Sequence, residues 1–214
     1  MIRDGSSAMT PARKLRPSKK REATAQQTHE RIRAGAWQSF VQYGLEGATV
    51  SAIVRASGIS TGTFYNYYGT KEAVFDRILE DLTQDIRTIS AEARARADDL
   101  ETMLRLSYAA LLDYILGLDG ARAFIAMNQH HIRSRLYGAS GSEGIVQDLR
   151  GDIARGMPGH ALSSSETDLI ARLIISNGIE AVLLLGDDAE TDTAKVADLV
   201  TGLLIGGIHG MRAE

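Results

Sequence analysis

The segment from Thr49 to Tyr68, TVSAIVRASGISTGTFYNYY, leaves few ways to fold. Thr49 is a good N-cap for a short helix over Val50–Ala56, in which Val50, Ile53 and Val54 form one apolar face. "SGIS" then forces a turn, and Gly58 can take the left-handed backbone conformation that the turn requires. Ser60 caps a second short helix. Upstream, Ile32, Ala36 and Phe40 recur every four residues, which predicts a longer helix over 26–43, and Gly44 stands where a helix C-terminal glycine would. Two short helices joined by a tight glycine turn, after a longer one, form a helix-turn-helix with its supporting helix.

At 100° per residue, the helix after Ser60 sorts its side chains by job. Phe64 and Tyr68, with Ile59 leading in, share the face that packs on the first two helices. Gly62, Thr63 and Asn66 cluster opposite, where small and amide side chains suit a groove. Tyr65 and Tyr67 flank that face, and a phenol hydroxyl has the reach to meet a phosphate oxygen. Gly62 costs the helix about 1 kcal/mol relative to Ala, and its return is close backbone approach to a partner. Asn pairs well with adenine in the major groove.

Charge divides the chain in the same place. Residues 1–72 carry eleven Lys or Arg against five Asp or Glu, a net +6, whereas residues 73–214 carry thirteen against twenty-two, a net −9. A basic segment on an acidic molecule is suited to a polyanion. The reading divides the chain into a disordered basic arm over 1–24, a DNA-binding head over 25–72 and a helical body over 73–214. There is no cysteine, which excludes disulfides, thiolate zinc sites and cysteine nucleophiles. No apolar run reaches the roughly 18 residues of a membrane span, and the expected compartment is the cytoplasm. His130 and His131, being adjacent, diverge on a helix and cannot both face one metal. "GASGS" is no nucleophile elbow, and there is neither G-x-G-x-x-G nor a P-loop. The reading therefore assigns no catalytic site, cofactor or metal.

The stretch RIRAGAWQSFVQYGLEGATVSAIVRASGISTGTFYNYYGTKEAVFDRIL resembles the DNA-binding domain of the TetR (tetracycline repressor) family of transcriptional regulators, over about 28–79. The family's His-Phe or Tyr-Phe at the end of the recognition helix is Tyr67-Tyr68 here. The resemblance implies that Thr49, Ser60, Thr61, Thr63, Tyr65, Tyr67 and Lys71 meet double-stranded DNA, Lys71 through a phosphate. Gly62 and Asn66 are positions for base-edge or close-backbone contact. Capping is the competing role for Thr49 and Ser60.

The expected fold is all-α, with helices also near 72–96, 99–117, 119–137, 142–156, 164–186 and 192–210, broken at Gly117, "YGASGSEG", "GMPGH" and "GDDAETD". The body is expected to bind a ligand and dimerise. The last two helices are the most apolar, and in the family this pair from each subunit typically forms the homodimer. Gly202, Gly206 and Gly210 repeat every four residues there. For a small apolar or amphipathic effector, Tyr108, Leu112, Tyr114, Phe124, Met127 and Ile174 are candidate apolar walls, with Asn128, His130, Asn177 and Glu180 as polar ones. The implied function is a ligand-responsive repressor, its dimer bound to a palindromic operator and released when effector shifts the helix that begins at Lys71. A ligand-independent architectural DNA-binding protein is the alternative.

Overall fold

A computed structural model describes residues 19–137, 143–157, 162–185 and 192–210. Nine helices lie among them: α1 (Lys19–Gly47), α2 (Val50–Ser57), α3 (Thr61–Tyr67), α4 (Lys71–Ala95), α5 (Leu100–Leu116), α6 (Ala121–Tyr137), α7 (Glu143–Gly156), α8 (Ser164–Leu184) and α9 (Thr193–His209). The fold is all-helical, as expected. No helix among the described residues is long and apolar enough to cross a membrane.

The helix ends follow local chemistry. Thr49, Ser60, Thr70, Asp99, Ser163 and Asp192 each accept a backbone N–H of the first turn that they cap. Gly44 kinks α1 near its end with φ 66°, and Gly58 closes α2 with φ 61°. Both glycines stand where only a residue without Cβ adopts the turn at little cost. The start of α1 differs most from the sequence reading. α1 begins at Lys19 rather than near residue 26, so 19–24 of the expected arm are helical; Thr24 and Thr28 donate their hydroxyls to carbonyls one turn back. The rest of the arm, 1–18, lies outside the described residues, as do most of the breaks expected at "YGASGSEG", "GMPGH" and "GDDAETD".

α1 to α3 form the head, and its core does not stop at residue 72. Ile32, Phe40, Ile53 and Phe64 pack with Val74, Phe75 and Ile78 of α4 and with Phe124 and Ile132 of α6. Aromatic rings carry this junction: Trp37 stacks on Phe124 at 4.5 Å and Phe75 stacks on it from 5.5 Å. A second apolar cluster joins α5, α7, α8 and α9, and a third gathers Leu112, Ile115, Ala181 and Val182.

Candidate nucleic-acid interface and ligand cavity

α3 reaches its place through α1 and α2. Gly35 on α1 lets α2 approach so closely that a Cβ there would lie 2.3 Å from Ser57 Oγ and 2.7 Å from Ser57 N. Arg31 then spans the turn, donating to the carbonyls of Ser57 and Gly58. Phe64 is fully buried, as its face predicts. Tyr68 lies just beyond α3 and is half-buried; its hydroxyl is 3.3 Å from His29 Nδ1, and burial pushes its phenol above the usual range.

Thr61, Gly62, Tyr65 and Asn66 form one exposed surface, with Tyr65 56% exposed. The side chains of Thr61, Tyr65 and Asn66 make no hydrogen bond to the protein among the described residues, so their polar atoms are free for a partner. Nothing inside the protein requires glycine at 62, where a Cβ would meet only Ser60 Oγ at 3.9 Å. Thr49 and Ser60 are exposed and act as caps, through Ala52 N and Thr63 N, each at 3.1 Å. Thr63 is half-buried, and its hydroxyl lies 2.8 Å from that of Ser60. Tyr67 is half-buried, edge-on to His29 at 4.6 Å.

Lys71 departs from the expected pattern. Its ammonium donates to the carbonyls of Leu45, Glu46 and Ala48 at 2.7, 3.1 and 2.9 Å. An ammonium has three N–H donors, and these carbonyls account for all of them. Lys71 therefore ties the start of α4 to the end of α1.

In the body, a cavity of about 140 Å³ lies among α4, α5, α6, α7 and α8. Of the candidate wall residues, Tyr108, Phe124 and Ile174 line it. The Tyr108 hydroxyl donates to Ile174 O at 2.7 Å and burial pushes its phenol up. The other candidates lie elsewhere. Leu112 belongs to the neighbouring cluster, Met127 is 52% exposed, and Asn177 donates back to Leu173 O. Tyr114 donates to Asp85, Glu180 pairs with Arg133, and His130 is exposed. Asn128, 1% exposed, is a backbone clamp between α6 and the end of α1 rather than a cavity wall.

Charged groups that the sequence reading missed line the side of the cavity between α4 and α7. Arg87 donates to Asp148 at 2.9 Å, and Arg94 holds Asp152 in a two-pronged pair at 2.5 and 2.7 Å. The available signal was the spacing of Arg87, Ser90 and Arg94, which places all three on one face of α4. Leu79, Phe124 and Ile132 belong both to the head core and to the cavity wall.

On the far side, Leu169, Leu173 and Leu184 of α8 and Leu199 and Leu203 of α9 are exposed. A Cβ at Gly202, Gly206 or Gly207 would meet nothing within 4 Å in the protomer.

The model of the bacterial regulatory proteins of the tetR family matches residues 32–78. Residues 32–78 thus form a helix-turn-helix domain of that family. Those residues run from Ile32 of α1 to Ile78 of α4, so the match covers the second half of α1, all of α2 and α3, and the first two turns of α4. The chain is 29% identical over 98 residues to the transcriptional repressor KstR2 of Rhodococcus jostii, covering 44% of this chain and 45% of that protein. It is 30% identical over 81 residues to the repressor DhaR of a Mycobacterium species, covering 37% and 41%. The chain thus spans less than half the length of the curated relatives it matches. In fold it is similar to the regulator FadR of Bacillus subtilis, solved in complex with stearoyl-CoA, with a TM-score of 0.68 and 19% identity over 85% of this chain and all of that one.

Proposed function

We propose that the protein represses transcription as a homodimer on a palindromic operator and is released when a small apolar or amphipathic effector fills the cavity. Thr61, Gly62, Thr63 and Asn66 are the groove-facing residues of this reading. Tyr65 and Tyr67 fix the register on phosphates, and Thr49 and Ser60 cap their helices beside the backbone. Lys71 supports binding by holding α4 to α1. The exposed leucines and open glycines of α8 and α9 suit a second copy of the chain, packed closely there.

One observation carries the ligand-responsive reading over an architectural one: Leu79, Phe124 and Ile132 are shared by the head core and the cavity wall. A molecule that displaces these side chains moves α4 and α6, and both helices pack on the head. Relatives support the reading, because the matched proteins include repressors and FadR was solved with stearoyl-CoA. The test is a panel of amphiphiles screened for stabilisation of the protein and for release of a selected duplex. Linkage requires that effector and operator weaken each other by the same factor, typically about 5- to 150-fold. Stabilising molecules that leave DNA affinity unchanged would favour the architectural alternative.

A further inference from the structure

A second cavity, of about 460 Å³, opens between α4, α6 and the start of α7. It is polar where the first is apolar, with Asp76, Glu80, Gln84 and Arg135 in its wall. Leu79, Thr83, Arg87, Leu136 and Ile145 line both, so the two meet on α4. Among these shared residues Arg87 is the one with a charge, at the point where apolar wall gives way to polar wall.

Arg87 is only partly satisfied. Its Nε donates to Asp148 Oδ2, and its two terminal amino groups make no hydrogen bond to the protein among the described residues. Arg94, two turns further along, is different: Asp152 takes it through two prongs and also takes Arg155, and that carboxylate is 4% exposed. The two arginines are similarly exposed, 31% and 37%, but Arg94 is held by two prongs and Arg87 by one, and the partner carboxylate Asp148 is 35% exposed where Asp152 is buried. Gly144, in the first turn of α7, lets the Arg87 guanidinium lie against that helix, since a Cβ there would sit 2.9 Å from its Cζ and Nη1.

We propose that Arg87 binds the anionic end of an amphipathic effector, a carboxylate or phosphate, while the apolar part of that molecule fills the inner cavity. The inference rests on the effector reading above and adds a charge and a place to it. A guanidinium held through Nε alone keeps a terminal pair of N–H donors that fits two oxygens of one anion. Asp148 is then the resting counter-ion, which the ligand displaces or shares. Because Asp148 is on α7 and Arg87 on α4, drawing Arg87 towards a ligand also loosens the join between these helices.

The test is calorimetric titration of the full chain with decanoate, decyl phosphate and 1-decanol, which share a tail and differ in their heads. Decanoate or decyl phosphate is expected to bind at least about tenfold more tightly than decanol, the scale of a hydrogen bond to a charged group. The stronger of the two anions identifies the head that the site takes. Arg87→Gln should erase that preference and leave decanol affinity unchanged. Asp148→Asn should strengthen the anions without affecting decanol, an effect that a purely structural ion pair would not give. Equal binding of decanol and both anions, or a preference that survives Arg87→Gln, overturns the anionic site and leaves the effector reading standing. No binding by any of the three overturns both.

Discussion

Asn128 of α6 grips the end of α1 at Leu45. Its side-chain oxygen accepts the Leu45 N–H at 2.6 Å, and its amide donates to the carbonyls of Phe40 and Phe124 at 3.2 and 2.7 Å. Leu45 O in turn accepts from Lys71 of α4. The segment from Gly44 to Ala48 is thus clamped by α6 and by α4, and both helices also line the cavity. Two routes therefore run from the body to the head, where the sequence reading expected α4 alone.

Replacing Asn128 with Leu keeps a similar volume and strands the buried Leu45 N–H. Chemical denaturation should show a loss of about 1–3 kcal/mol, the cost of leaving a buried donor unpaired. A change within about 0.5 kcal/mol, the usual range of surface substitutions, would mean that this clamp is dispensable.

Gly35→Ala and Gly62→Ala should separate scaffold from interface. At 35 the new methyl group meets Ser57 Oγ, Ser57 N and Ile53 O within 2.9 Å, so α1 and α2 must part; melting should reveal a cost of about 1–3 kcal/mol. At 62 the methyl group meets open space, and the helix gains up to about 1 kcal/mol, yet duplex affinity should fall. A Gly62→Ala protein that is more stable and binds DNA as well as before would put the contact surface elsewhere.

Lys71→Ala should destabilise the head and weaken binding to all duplexes alike. The slope of log affinity against log salt should not change, because all three N–H donors face carbonyls. A slope smaller by about one would instead restore Lys71 to a phosphate.

Three carboxylates, two of them N-caps and one the third residue of a capping box, make the body sensitive to acid. Hydrogen bonds from the first turns of α5 and α9 hold Asp99 and Asp192 below the usual carboxylate range, and Ser163 does the same for Glu166 at the start of α8. A carboxyl group whose pKa is lowered on folding stabilises the folded state above its unfolded value, and that contribution is lost as pH falls through the folded value. Thermal melts should therefore decline as pH drops below about 4, with a smaller decline in the Asp99→Asn, Asp192→Asn double variant. Equal declines in the two proteins would show that these caps carry none of the effect.

Gly206→Leu should leave the protomer folded, because the side chain enters open space there. If α8 and α9 form the dimer, the same change separates the subunits, and sedimentation should report the mass of one chain. An unchanged dimer would move the contact to another face.

Much of the head was legible because each of its boundaries is local chemistry. Gly44 and Gly58 need left-handed backbone, and Thr49 and Ser60 cap from within a few residues. The start of α1 was not legible, because residues 19–25 hold no apolar side chain larger than alanine and helical spacing of apolar residues is silent there. Asn128 and Lys71 were misread for a different reason. Periodicity tells which face of a helix is covered, but not what covers it, and their partners lie 83 and 26 residues away. The pairing of Arg87 with Asp148, 61 residues apart, is hidden in the same way.

Selection of bound duplexes from a random pool, followed by the mass of the complex, tests the central claim most directly. The account predicts one enriched motif with two-fold symmetry, its half-sites spaced to meet successive major grooves, about 34 Å apart for half-sites one helical turn apart, with at least two chains on each duplex. Enrichment of no sequence, or of an asymmetric site held by a single chain, would contradict it.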